Sequence, residues 1–311
     1  MIIDKNYGLD GFNTTCITQV ASTVLTLLGA TKSGTSPVAG ASQKTEPGTQ
    51  IPAGGQTVAN TEIAQTGCGT QMAPPIPDVL SKAHEKFGAE KCDRVVMYNP
   101  DAIAQWIYGK YYKKYFSCLE ANTDFMLPML SVFPPVTPVC FGSMYSGLQP
   151  AVHGIQSYTK PVLKCQTVFD RVLATGKKAA IVSTEGDSIS LIFLERDMDY
   201  FIYKTVKECN DKAAELIKSD EYDLIVLYNT DYDYWMHRSS PTGLPAKNAL
   251  KKNVAEYLAL KELIQSEWKG KHRTALAFAP DHGCHRTAGI LGTHGINEPC
   301  DMNTVHLWSF I

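Results

Sequence analysis

The chain has 311 residues, 44% of them hydrophobic, which is enough for one large α/β core. Lys and Arg number 29 against 31 Asp and Glu, so the formal charge is −2 and the sequence pI is near 6.4. That balance excludes an electrostatic footprint for nucleic acid or for an anionic membrane surface, and the expected partner is a small molecule captured at a local site.

Residues 1–12 carry mixed charge, and the apolar run at 17–28 is interrupted by Thr and Ser and too short to cross a bilayer, so neither a secretory signal nor a span is expected. An amphipathic helix over about 15–28 fits better, with Val20, Val24, Leu25 and Leu28 on one face. From about 29 to 77 the composition shifts to Gly, Ser, Thr, Ala, Pro and Gln, which predicts a flexible excursion from a single domain spanning 1–311, with Cys68 inside it. A helix over 76–87 follows, its His84 set among charged residues. Residues 94–100, RVVMYNP, read as a buried parallel strand. Asp101 comes directly after it, at the C-terminal edge where open α/β sheets bind ligands. Residues 102–119, rich in Tyr and Lys, are expected as one amphipathic flanking helix.

The stretch 133–155, FPPVTPVCFGSMYSGLQPAVHGI, puts the hydroxyl of Thr137 where a strand-like apolar run turns into a helix. Thr is a good N-cap and Pro138 suits a first turn, so Thr137 is expected as the cap, with the Val139 and Cys140 amides pointing outward. Such a helix start attracts phosphate, and the hydroxyl would then lie beside a phosphoryl group. A lone Thr-Pro is far more often a cap without chemistry, and it is the rest of the chain that favours the nucleophile. Beyond it come Tyr158 and Lys160, a helix over 167–175, a strand at 179–184, a helix over 208–219 and a strand at 223–228. Asp233 and His237 follow four apart, on one face of a helical turn, where a metal can bridge them. A strand at 274–279 ends on Asp281 and His282, and a Gly-flanked turn carries His294. Residues 305–311 form a short closing strand in which His306 is packed. Strands alternating with helices predict an α/β fold: a mostly parallel central sheet with helices on both faces.

Nine cysteines, an odd number without CxxC pairing, read as free thiols of a reducing, cytoplasmic setting. Cys92, Cys118, Cys140 and Cys165 stand among apolar neighbours, as small buried hydrophobes do. Asp101, Asp233, His237, Asp281, His282 and His294 all fall in loops or strand ends, so three carboxylates and three imidazoles can converge on one rim as two nitrogen and oxygen sites. That donor set suits a pair of divalent ions, Zn²⁺ first and Mn²⁺ second.

From about residue 94 onward the chain resembles the alkaline phosphatase superfamily, and within it the nucleotide pyrophosphatase/phosphodiesterase and phosphonoacetate hydrolase branch. The resemblance rests on SGLQPAVHGI downstream of Thr137, on Asp233-x-x-x-His237, on Asp281-His282-Gly283 and on the GTHG piece around His294. It implies an alkaline phosphatase-like fold in which Asp233, His237 and His294 hold one metal, and Asp101, Asp281 and His282 hold the other together with the Thr137 hydroxyl. It further implies a two-metal-dependent hydrolase of phosphoryl esters, of phosphodiesterase or nucleotide pyrophosphatase type, working through a phospho-threonine. Phosphonoacetate hydrolysis or phosphomonoesterase activity is the alternative within the superfamily, and a non-catalytic metal-binding scaffold the alternative outside it. His153 matches a structural position. The chain departs from the family in having Thr137-Pro138-Val139-Cys140 for Thr-Phe-Pro-Asn, and Asp101-Ala102 for Asp-Gly. It also lacks a match to the family's phosphoryl-binding Asn, for which Lys160 is the candidate substitute. Sulfatase chemistry is disfavoured, since no Cys or Ser followed by Pro and Arg stands at the nucleophile.

Overall fold

Strand β1, Arg94–Pro100, is buried along all but its first residue, as its unbroken apolar run predicts for a strand covered on both faces. The computed structural model describes residues 8–31, 71–287 and 289–311. The expected flexible excursion at 29–77, Cys68 included, falls for the most part outside the described residues. The other strands are β2 (Phe125–Leu130), β3 (Ala179–Thr184), β4 (Asp199–Tyr203), β5 (Leu224–Asn229), β6 (Thr274–Phe278), β7 (His285–Arg286), β8 (Gly292–Thr293) and β9 (Asn303–Phe310).

Seven of them form one sheet in the order β2-β9-β6-β1-β5-β3-β4, and β7 pairs with β8 in a separate hairpin. Pairings among β6, β1, β5, β3 and β4 are parallel, whereas β9 runs antiparallel to both β6 and β2. The fold is therefore the α/β, mostly parallel sheet that the sequence predicts. Alternation along β1 divides the core: Val95 and Met97 enter one apolar cluster and Val96 and Tyr98 the other. The first cluster is closed by the helices Gln19–Leu27, Pro77–Phe87, Thr137–Ser146 and Val168–Leu173. The second is closed by Gln105–Lys110, Val206–Ser219 and Leu244–Glu267.

Several elements differ from the expectation. Residues 102–119 do not form one helix but a helix at Gln105–Lys110, a π-turn at Tyr112–Phe116 and a short helix at Ser117–Ala121. Ala102 sits at φ +60, outside any helix, and the extra residue in the π-turn lets both Phe116 and Leu119 end fully buried. Cys118, expected to be buried, is exposed on that short helix, and Cys165 is half-buried; all eight described cysteines are free thiols. The edge strands β2 and β4 were not expected. β2 contains Pro128, which a central strand would not tolerate, and β4 is half-buried at every position. The 24-residue helix Leu244–Glu267 also lies outside the expectation, although its buried Ala246, Ala249, Leu250, Asn253, Val254, Tyr257, Leu260 and Ile264 keep a three-to-four spacing.

Candidate metal centre

Three neighbouring strands, β6, β1 and β5, deliver the side chains at their C-terminal ends. Asp101 follows β1; Asp233 and His237 lie one turn apart on the helix Asp231–Ser239 that follows β5; Asp281 and His282 follow β6. His294 comes directly after β8, and Thr137 opens its helix on the adjoining face. The six ligand candidates fall into the two groups expected, Asp101 with Asp281 and His282, and Asp233 with His237 and His294, with the donor atoms of each group within 4.8 Å of one another. The groups adjoin, since the His282 and His294 ring centroids are 4.2 Å apart. Thr137 Oγ1 stands 3.4 Å from His282 Nε2 and 3.5 Å from Asp101 Oδ2.

Each histidine is pinned by its outer nitrogen to a backbone carbonyl. His237 Nδ1 lies 3.1 Å from Gly292 O, His282 Nδ1 2.9 Å from Gly283 O, and His294 Nδ1 3.0 Å from Pro135 O. A carbonyl only accepts, so the proton belongs on Nδ1, and Nε2 turns its lone pair inward. Facing those lone pairs are carboxylate oxygens that have no hydrogen-bond donor: Asp101 Oδ1, Asp233 Oδ1 and Asp281 Oδ2, all buried. His282 Nε2 is 3.4 Å from Asp101 Oδ1 and 3.4 Å from Asp281 Oδ2. Asp233 Oδ1 is 3.2 Å from His237 Nε2 and 3.4 Å from His294 Nε2. Acceptors facing acceptors in so enclosed a site are reconciled by a cation, or a shared proton, between them. A tetrahedral site with bonds of about 2.0–2.1 Å has edges of about 3.3–3.4 Å, which is the spacing found. The residues present therefore fit two divalent ions.

The same crowding appears as titration. Burial, then the charges of Asp281 and Asp233, push the Asp101 carboxyl well above the usual carboxylate range, and burial pushes Asp281 up to about 7. Burial also raises Asp233, but the imidazoles of His237 and His294 outweigh it and hold that carboxyl below its ordinary value.

Local sequence explains the geometry. Gly283 is required because a Cβ there would meet Cys300 O at 2.3 Å, and Gly292 because one would meet Met236 Sδ at 2.3 Å. Ala102, directly after Asp101, takes a left-handed φ of +60, a conformation that favours glycine. Tyr228, at the end of β5, was not anticipated: its buried hydroxyl donates to Asp101 Oδ2, so the free oxygen of that carboxylate is the one facing His282. A lone tyrosine at a strand end gives little signal in sequence.

The start of the Thr137 helix departs from the expectation. Val136, with φ −133 and ψ 143, is the cap residue; Thr137 is already helical, and no side chain caps an amide. The Val139 and Cys140 amides do not point outward, because both donate to Val136 O at 3.0 Å, and Pro138 has no N–H. The helix start thus offers no cradle of several amides. Lys160 Nζ donates to Gly186 O at 2.8 Å and is not brought among the six ligand candidates. His153 is structural, held between Ser143 Oγ at 2.9 Å and the Ile155 amide at 3.2 Å. His306 is packed in β9 with Nε2 2.9 Å from Pro280 O, and His84 is exposed.

No protein-family model and no curated protein sequence matches the chain. Solved structures do. Murine ectonucleotide pyrophosphatase/phosphodiesterase 5, in an inactive threonine-to-alanine form in complex with AMP, superposes with a TM-score of 0.52 at 12% identity over 63% of this chain. The C-terminal periplasmic domain of the phosphoethanolamine transferase EptC from Campylobacter jejuni gives a TM-score of 0.51 at 13% identity, covering 70% of this chain and 79% of that domain. The chain shares the fold of these two structures. Within that fold the chain spans 58% of the length of the murine protein. Among the described residues, no helix is long and apolar enough to cross a membrane.

Proposed function

We propose that the chain is a two-metal-dependent phosphoryl ester hydrolase of phosphodiesterase type, with Thr137 as its nucleophile. The observation that carries this reading is the set of inward imidazole lone pairs facing donorless carboxylate oxygens, with the Thr137 hydroxyl beside one group. Asp233, His237 and His294 would hold one ion, and Asp101, Asp281 and His282 the other with Thr137. Divalent ions in those places, Zn²⁺ or Mn²⁺, would lower the pKa of the hydroxyl and neutralise the phosphoryl oxygens. Thr137 Oγ1 attacks phosphorus in line, forming a P–O bond as the bond to the leaving oxygen breaks. Its proton passes toward Asp101 Oδ2, 3.5 Å away. Water then attacks the phospho-threonine from the vacated side, restoring the hydroxyl and releasing the phosphoryl product. Because the Val139 and Cys140 amides are committed to Val136, the helix start contributes position rather than an oxyanion hole.

The neighbours in structure agree with phosphoryl chemistry: one binds AMP in an inactive threonine-to-alanine form and another is a phosphoethanolamine transferase. The test is turnover of an aryl phosphodiester, an aryl phosphomonoester and phosphonoacetate by metal-replete protein, with the diester expected fastest. Faster phosphonoacetate or monoester hydrolysis would move the reading to those branches. No turnover of any of the three by protein carrying two ions would leave a metal-binding scaffold.

A further inference from the structure

The described residues contain a third cluster of metal-ligating types, His285, Cys300 and Asp301, whose donor atoms also lie within 4.8 Å of one another. It fails the test that the other two pass. Asp301 is fully buried, but both of its oxygens face donors: His285 Nδ1 is 2.8 Å from Oδ1 and 3.0 Å from Oδ2, and the Ile296 amide donates to Oδ2 at 3.0 Å. Neither Asp301 oxygen is among the buried atoms without a partner, unlike those of Asp101, Asp233 and Asp281. Burial, with the Asp301 charge, pushes the Cys300 thiol up to about 12, so it stays protonated. The protein has already filled this carboxylate with its own donors.

The place of those donors in the chain gives the cluster its purpose. Ile296 lies two residues past His294, beyond Gly295 with its φ of +116. His285 opens β7 and pairs with Thr293 of β8, the residue before His294. The Asp301 side chain therefore ties down both sides of the segment that ends in a ligand of the Asp233 group. Its backbone ties down the other group: Gly283 N–H donates to Asp301 O at 2.6 Å and Cys284 N–H to Cys300 O at 3.1 Å, directly after Asp281 and His282. The close pass of this strap is what leaves no room for a Cβ at Gly283.

We propose that Asp301 is a positioning residue that sets the two metal sites against each other, its side chain holding the His294 loop and its backbone holding the Asp281-His282 turn. This rests on the two-ion reading above. Asp301→Asn keeps the backbone strap but replaces an anionic acceptor with a neutral amide, so it acts on one site only. Ions per chain, counted across a graded series of competing chelator with Zn²⁺ as the probe, give the readout. The expected result is that one ion weakens by about 10- to 100-fold while the other is unchanged, matching the ion that His294→Ala loses. In the His294→Ala background, Asp301→Asn then adds no further loss of ion affinity, because the path from Asp301 to the ion is already cut. A carboxylate that only stabilises the fold would lower the melting temperature of metal-free protein and weaken both ions together, and that outcome overturns the proposal. Should Asp301→Asn fail to fold, His285→Gln, at a partly exposed position, carries the same test with the same one-site loss expected. Parent protein with two ions and an unaffected variant overturns the tether alone; parent protein that takes up no ion at the Asp233 group overturns the two-ion reading and the tether with it.

Discussion

The two ends of the parallel sheet treat charge in opposite ways. At the N-terminal end Arg94 reaches Asp220 at 3.1 Å and Asp223 at 3.0 Å, Lys177 adds a second cation to Asp223 at 3.2 Å, and His272 closes on Asp220 at 2.7 Å. Both of these carboxylates have their cations inside the chain. At the C-terminal end Asp101 and Asp281 are buried and Asp233 is half-buried, and each keeps one oxygen, turned toward an imidazole, without a donor. Burying uncompensated carboxylates costs several kcal/mol per ion, far more than a surface pair returns, so on the two-ion reading the second end gains stability from cations supplied from outside. On that reading one end is finished by folding, and the other by binding.

The largest expected effects break the unfinished end. Stripping ions with a chelator should abolish turnover, and restoring Zn²⁺ should raise the melting temperature, with each site contributing about 2.7 kcal/mol at a free metal concentration of 100 Kd. Metal analysis of the reconstituted parent should give about two ions per chain, and Asp281→Ala or His294→Ala should lose at least one. Next comes Thr137→Ala, expected to lower kcat by at least about three orders of magnitude, or ~4 kcal/mol of barrier, with the ions retained, whereas Thr137→Ser keeps measurable activity. Since the Thr137 hydroxyl caps no amide, the alanine variant should melt close to the parent. Folded, metal-loaded Thr137→Ala working within about tenfold of the parent, a factor of ~1.4 kcal/mol, would remove Thr137 from the chemistry.

The finished end should respond to acid rather than to chelator. Burial raises the Asp220 carboxyl, but His272 and Arg94 outweigh it and hold it below 3.8, so its contribution to stability is present above that value and lost as pH falls through the folded pKa. Arg94→Ala should lower unfolding free energy by about 1–2 kcal/mol in urea titrations at neutral pH, with metal content unchanged. Loss of ions in that variant would show the two ends to be coupled. The smallest effect is expected at Ala102, whose left-handed backbone favours glycine while its buried methyl favours alanine. Ala102→Gly should fall within about 1 kcal/mol of the parent in the same titration.

Much of this was legible in the residues. Asp101 and the Asp281-His282 pair announce themselves by following unbroken apolar strands, Asp233 and His237 by their spacing, and His294 by the glycines around it. What could not be read was the work of main-chain atoms. The carbonyls of Gly292, Gly283 and Pro135 orient the three imidazoles, and a carbonyl is present whatever residue carries it. The helix start was misplaced by one residue for a related reason. Thr137 is the better cap by residue type, but the extended backbone of Val136 decides, and it claims the two amides that were expected to be free. The edge strands were hidden by Pro128 in β2 and by the half-burial of β4, both of which weaken the pattern that marks a central strand.

The position of β9 in the sheet carries a consequence for how the molecule is made. β2 pairs with β9 and with no other strand of the sheet, and the two are separated in the chain by residues 131–302. During synthesis β2 therefore leaves the ribosome with its hydrogen-bonding edge open and waits for nearly all the intervening chain before its partner arrives. The segment carrying Thr137 follows β2 directly; Leu130 at the end of β2 bridges Cys16, and the rest of the pairing of β2 is supplied once β9 lies between β2 and β6. A nascent chain stalled before residue 303 would have made every residue of the candidate metal centre without yet having the strand that pairs with β2 ahead of Thr137.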